Sequence, residues 1–272
     1  MSSKKVCIKE LAFAIGLTSL ASLTGATQTD LLGDKRDYLA SAMGTIFCDG
    51  EIRGSAAHIS IELTKPQEKS VLISAAHILF EKETGRTFNS CQYRPQNNRF
   101  SSPDIESVST IHYKISMVDK ILQAENDIVF LTLSKRLHQP TLEISKQSVN
   151  RKSQLTLIAY SAYLDRIIPS DVCKPIKTLQ PISKKLLLHD CKAEAGTSGG
   201  AIVHTGSGKI VAIHGGALVF DQTSFESGSN DSNPSLERYQ VPAEKLINQG
   251  RIIDSELISD LESFISANNK HQ

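Results

Sequence analysis

The chain carries no surplus of either charge. Its 30 Lys and Arg against 29 Asp and Glu leave a formal net charge of +1. Composition therefore indicates neither a basic footprint for a nucleic-acid backbone nor an acidic solvating tail, and no nucleic-acid partner is expected. Paired metal ligands are missing as well. His58, His112, His138, His189, His204 and His271 show no spacing of the His-Glu-x-x-His kind, so no metal is expected. No phosphate-cradling glycine loop opens a helical pattern, which argues against nucleotide use, and no cofactor is expected. No internal repeat stands out. No apolar run reaches the ~20 residues of a membrane span.

The N-terminus has a different meaning. Lys4, Lys5 and Lys9 precede an apolar run from Leu11 to Ala26 that ends in small residues. This is the layout of a secretory signal peptide over residues 1–26, with Thr24-Gly25-Ala26 as the cleavage site. A retained anchor is the alternative, opposed by the Gly, Ser and Thr within the run. Cleavage implies a secreted or periplasmic protein with no stable membrane association, and leaves room for a pro-segment before about Tyr38. It removes Cys7 and leaves Cys48, Cys91, Cys173 and Cys191. Four cysteines in an exported chain suggest two disulfides, with three pairings open. Cys48–Cys91 with Cys173–Cys191 is favoured because each bridge then stays within one half of the chain. Each would contribute roughly 3 kcal/mol by restricting the unfolded state.

Short β-branched and aliphatic runs separated by turn residues predict an all-β protein. Strands are expected at Ala42–Phe47, Gly54–Leu63, Ser70–Ser74, Val108–Ile115, Ile128–Leu133, Leu155–Tyr160, Leu186–His189, Ala201–His204, Ile210–His214 and Arg238–Val241. Ala243–Asn248 reads as a helical turn, and Asp221–Ser235 as an exposed loop rich in Ser, Asn and Gly. Helical periodicity is strong at Asp254–Ala267, where Leu257, Ile258, Leu261 and Ile265 share a face. The polar stretch Ser134–Ser153 links two units. The expected division is residues 38–140, residues 141–250, and a C-terminal helix and tail over 251–272.

Three blocks carry chemistry: Ser74-Ala75-Ala76-His77, Asn126-Asp127 before an apolar strand, and Glu194-Ala195-Gly196-Thr197-Ser198-Gly199-Gly200. A serine hydroxyl is a weak nucleophile and needs a neighbouring base. His77 supplies one, and Asp127 would hold the second ring nitrogen and stabilise the imidazolium that forms. Asp119 is the alternative acid. The glycines let the amides of Gly196 and Ser198 converge on a developing oxyanion.

These blocks, in the order His, Asp, Ser, resemble the chymotrypsin-like serine endopeptidases. The resemblance covers most of Ala42 to Leu246 and implies two six-stranded antiparallel β-barrels, an active site between them and a polypeptide substrate. His189-Asp190-Cys191 and Ile210–Gly216 are similar to the glutamyl endopeptidase branch. By that likeness Lys192, Ala193, Ile213, His214, Gly215 and Gly216 would bind the substrate, and an acidic side chain would be preferred before the cut. Two positions depart from the pattern. Thr197 stands where animal trypsins carry an Asp, so activation by that ion pair is not expected. Ala193 stands where glutamyl endopeptidases generally carry a hydroxyl residue.

Two other readings compete. Gly196-Thr197-Ser198-Gly199-Gly200 also fits the nucleophile elbow of α/β-hydrolases, but that fold needs a helix after the serine and strand–helix alternation, and neither is expected here. A protease-like scaffold that only binds is the second, and it usually lacks one member of the triad.

Overall fold

Aliphatic runs account for most of the architecture of the computed structural model, which describes residues 28–61, 68–97, 101–145, 147–178, 182–221 and 244–269. The expected signal peptide, the expected strand Arg238–Val241 and nearly all of the expected loop Asp221–Ser235 lie outside the described residues. The elements run α1 (Gln28–Ser41), β1 (Met43–Cys48), β2 (Glu51–Ser60), β3 (Val71–Ser74), a 3₁₀ turn (Ala76–Leu79), β4 (Cys91–Pro95), β5 (Ile105–Val108), α2 (Lys120–Glu125) and β6 (Val129–Leu133). They continue with β7 (Leu142–Glu143), β8 (Leu155–Ser161), β9 (Arg166–Pro169), β10 (Leu186–His189), β11 (Ala201–His204), β12 (Ile210–Asp221), β13 (Glu244–Ile252) and α3 (Ser255–Asn268).

The strands form two antiparallel sheets. The first has the order β4-β1-β2-β3-β6-β5, and β4 meets the chain just before β5 through the Tyr93 amide bonded to Pro103 O at 3.0 Å. The second has the order β10-β13-β12-β11-β8-β9, and residues 173–176 bridge β8 to β10. A seventh strand in the first sheet departs from the antiparallel expectation: β7 pairs with the end of β2 in parallel, Ile59 facing Leu142. Two residues later Ile144 bridges to Ile210 of the second sheet, so the chain crosses between sheets here.

Three apolar clusters follow from this layout. One fills the first sheet around Leu72, Tyr93 and Leu131. A second fills the other sheet around Leu157, Leu187 and Ile202. The third lies between the sheets, where Ile73 and Phe130 meet Ile158, Val203 and Ile213. Helix α3 closes this shared core with Leu257, Leu261 and Ile265, all buried, while Asp254 caps it by accepting the Leu257 amide. Burying each of those three side chains stabilises by about 1.5–3 kcal/mol. The expected helical face is thus the packed one, with Ile258 at its margin.

Both disulfides join the favoured pairs. Cys48–Cys91 ties β1 to β4, and Cys173–Cys191 ties the segment after β9 to the segment that leads to Ser198.

Two expectations are corrected. Ala243–Asn248 is not a helical turn; from Glu244 onward it forms β13, held between β10 and β12. The strand expected at Val108–Ile115 lies earlier, at Ile105–Val108. The ladder ends because the Ser109 hydroxyl accepts the Phe130 amide at 3.0 Å in place of a backbone carbonyl.

Candidate active site

His77 sits in the 3₁₀ turn that follows β3. Ala75 and Ala76 beside it are fully buried, so larger side chains would not fit where the chain turns from strand into the site. The ring stays 26% exposed, while the Asp127 side chain is nearly sealed at 4%. The two are joined twice. Asp127 Oδ2 lies 2.7 Å from His77 Nδ1, and Asp127 Oδ1 accepts the His77 backbone amide at 2.8 Å. This fixes the ring orientation and leaves Nε2 pointing away from the carboxylate. Tyr113, which sequence reasoning missed, flanks the ring at 6.2 Å between centroids. Burial and the Asp127 charge both push the Tyr113 phenol pKa upward.

Asp127 reaches this position from a short helix. Asp119, the alternative acid, caps the start of α2 by accepting the amides of Ile121 and Leu122 at 2.9 and 3.0 Å. Its carboxylate serves the helix and takes no part in the His77 contact. At the other end of α2 the Asp127 amide bonds to Ala124 O at 3.2 Å, which turns the chain into β6.

Ser198 comes from the opposite sheet. Its carbonyl accepts the Ser55 amide at 2.7 Å, and the Gly199 amide bonds to His214 O at 2.8 Å. A side chain on Gly199 would collide with Ser55 O, Ser74 Oγ and the Ala75 amide, so the serine turn packs against the segment that leads into His77. Among the described residues no hydrogen bond joins the Ser198 hydroxyl to the His77 ring. Such bonds are often long in unliganded sites and tighten around substrate.

The turn before Ser198 explains Gly196. The Thr197 amide bonds to Glu194 O at 3.2 Å, and Gly196, third in that turn, has φ +92°. A turn with positive φ at the third residue is type II, which favours glycine. A Cβ there would also lie 2.6 Å from the Tyr160 ring. The Thr197 hydroxyl reinforces the same turn by donating to Glu194 O at 2.7 Å. Among the described residues, the amides of Gly196 and Ser198 donate to no protein acceptor. Both are available to a negatively charged oxygen.

Ser55 is a second residue that the sequence did not reveal. Its hydroxyl donates to Gly196 O at 2.9 Å and accepts the Tyr160 amide at 2.8 Å, while its carbonyl accepts the Ser74 hydroxyl at 2.6 Å. One buried residue of the first sheet thereby grips both flanks of the serine turn. Gly215 also brings the sheets together. A Cβ on it would lie 2.9 Å from Asp127 Oδ2 and 2.5 Å from Gln249 Nε2. Only glycine lets β12 approach the acid this closely.

The residues expected to bind substrate are spread by depth. Lys192 is exposed, and Ala193, Gly215 and Gly216 are half-buried. The Ile213 side chain is fully buried in the shared core. His214 is 2% exposed, and its Nδ1 lies 3.2 Å from Nε2 of the buried His189. Burial pushes the His214 pKa down to about 3 and that of His189 to about 4, the nearby Gln249 backbone working in the opposite sense for each. Both rings are neutral at neutral pH. Lys192 lines a cavity of about 390 Å³ with Tyr160, Glu194 and Thr197. A cavity of about 800 Å³ opens between α3 and the β5–β6 edge, but neither His77 nor Ser198 lines it. The site is therefore located by side-chain geometry rather than by cavity size.

No protein-family model and no curated protein matches the sequence. Solved structures do match the fold. A glutamyl endopeptidase is similar with a TM-score of 0.56 at 10% identity, over 84% of this chain and 91% of its own. A thermostable serine protease, AL20, from an extremophilic microorganism gives 0.56 at 12% identity, over 84% and 98%. An HtrA-type protease, AlgW, solved with a tripeptide, gives 0.56 at 13% identity, over 87% of this chain and 64% of its own. This is the chymotrypsin fold. At these identities the likeness speaks to the fold alone, and the expectation of two antiparallel β sheets with a C-terminal helix agrees with it.

Proposed function

We propose that the chain is a serine endopeptidase, exported by its N-terminal segment and divided at about residue 140 into a base-and-acid half and a serine half. The observation that carries this reading is the pair of hydrogen bonds joining His77 to Asp127, made where the Ser198 turn is packed against the segment leading into that histidine. In this reading His77 accepts the Ser198 proton as the hydroxyl attacks the peptide carbonyl. The amides of Gly196 and Ser198 receive the oxyanion. His77 then passes the proton to the leaving amine, and water repeats the sequence on the acyl-enzyme. Asp127 keeps the ring in the tautomer whose Nε2 is free to accept, and stabilises the cation.

A serine-directed phosphonate tests this directly. The folded mature protein is expected to gain one adduct, mapped by mass spectrometry to Ser198, and to hydrolyse peptides. Ser198→Ala is expected to take no label and to lose turnover by about 10⁶-fold with its melting temperature unchanged. Absence of any adduct in folded protein would favour the scaffold that only binds.

The reading includes a preference for an acidic side chain before the cut. With His214 neutral, positive charge for such a side chain has to come from Lys192, and His214 contributes at most a hydrogen bond. A peptide library varied only at that position is expected to show Glu or Asp preferred, and the preference to weaken in Lys192→Ala. Selection of Arg, Lys or a large apolar residue would end the acidic assignment.

A further inference from the structure

We infer that Arg251 is a positioning residue for the acid, holding the Asp127 segment of one sheet against the sheet that carries Ser198. The inference rests on the reading of Asp127 as the partner of His77. Arg251 lies near the end of β13, and its side chain is only 4% exposed. An arginine is almost never buried unless its charge is matched, so its partners identify its task. Nε donates to the backbone carbonyl of Glu125 at 2.9 Å. Nη1 donates to Asp254 Oδ2 at 2.8 Å and to the Ile252 carbonyl. The guanidinium fork thus spans from its own strand and the α3 cap to the other half of the molecule.

The residue it reaches there is the last of α2, two positions before Asp127. Helix-terminal carbonyls carry partial negative charge and have no intrahelical partner, so a cation is the natural one. The second hold on Glu125 also comes from the serine half. Ser183, just before β10, donates its hydroxyl to Glu125 Oε1 at 2.5 Å. Main chain and side chain of Glu125 are therefore both fixed to the second sheet. Among the described residues of its own half, the Asp127 carboxylate is bonded by His77 alone, through the two bonds already described. Its position relative to Ser198 depends on how the sheets register. Ser55 sets that register beside the serine, and Arg251 sets it beside the acid. Misplacement by about 1 Å at a distance from the reacting atoms is enough to cost about 100-fold in rate.

Lysine cannot reproduce the fork. A single ammonium keeps a cation near Asp254 but does not hold Asp254 and the Glu125 carbonyl in fixed geometry together. Arg251→Lys is therefore expected to lower kcat by about tenfold or more with KM little changed. It is also expected to shift and broaden the low-field proton resonance of His77 Nδ1–H. Asp254→Asn keeps the α3 cap and the bond from Nε to Glu125. It is expected to lower the melting temperature while leaving kcat and that resonance as in the parent. A wild-type kcat and resonance in Arg251→Lys would overturn the inference, as would losses of kcat in both variants that track their melting temperatures. Where Arg251→Lys fails to fold, Ser183→Ala removes one hold on Glu125 and is expected to move the same resonance by less. An unmoved resonance there counts against the inference. Because the resonance is read in unreacted protein, it reports on Arg251 even if the parent cleaves no peptide.

Discussion

In the half built on the first sheet two partners bond each other: Asp127 takes both the ring and the backbone of His77, and burial shields the carboxylate. The serine turn beside the second sheet shows no such pair among the described residues. Ser198 and Gly196 are held through their carbonyls, by Ser55, while their amides stay free. Under the proposed chemistry the contrast follows what each part would do. A base and its acid work best when their geometry exists before substrate arrives. A nucleophile and its oxyanion donors must keep their bonding capacity for the substrate itself.

Asp127→Asn breaks the preformed half. An amide presents the wrong group to Nδ1 and favours the tautomer that cannot accept a proton, so kcat is expected to fall by about 10⁴-fold. Steady-state kinetics check this, and near-parental kcat would place the acid elsewhere. Ser55→Ala attacks the other half without touching any group that reacts. It removes the Ser55 hydroxyl bonds to Gly196 O and from the Tyr160 amide, with an expected loss of about 1–3 kcal/mol in stability and about tenfold in kcat. Urea titration and kinetics on one preparation measure both. Loss of stability alone would show that the serine turn holds its shape without Ser55.

A last expectation concerns buried rings to which the proposed chemistry gives no proton-transfer step. His58, His189 and His214 have pKa values pushed by burial to about 4, 4 and 3 from an ordinary 6.5. The folded state then binds fewer protons than the unfolded chain once pH drops below that ordinary value. The stability they permit is complete above about pH 6.5 and is lost as pH falls towards 4. Unfolding free energy measured by urea across that window is expected to decline steadily. A flat profile would mean that these rings are not held neutral.

Much of this was legible in the sequence, for a physical reason. Val71–Ser74, Val129–Leu133 and Ala201–His204 are runs whose side chains are almost all buried, so their strand character shows as continuous aliphatic sequence. Two motif blocks, Ser74–His77 and Glu194–Gly200, were legible because small residues are required wherever backbone must enter a crowded site, and Asn126-Asp127 by the apolar strand that follows it. β13 was not legible. Its inward positions include Gln249 and Arg251, both buried, so polarity pointed away from a strand between two others. The role of Asp119 was not legible: in the sequence it stood only as the alternative acid, and it takes the bonded amides of Ile121 and Leu122 to distinguish a cap from an acid. Contacts that join distant segments, such as Ser55 to Gly196 or Gly215 to Asp127, leave no local trace. They arise when the sheets close on each other.

The bonds of Ser55 carry a consequence for the newborn chain. A hydroxyl from residue 55 has to find partners 105 and 141 positions later before the Gly196 turn is braced. Until the chain has been made past residue 196 and both parts have docked, that turn has no brace from Ser55.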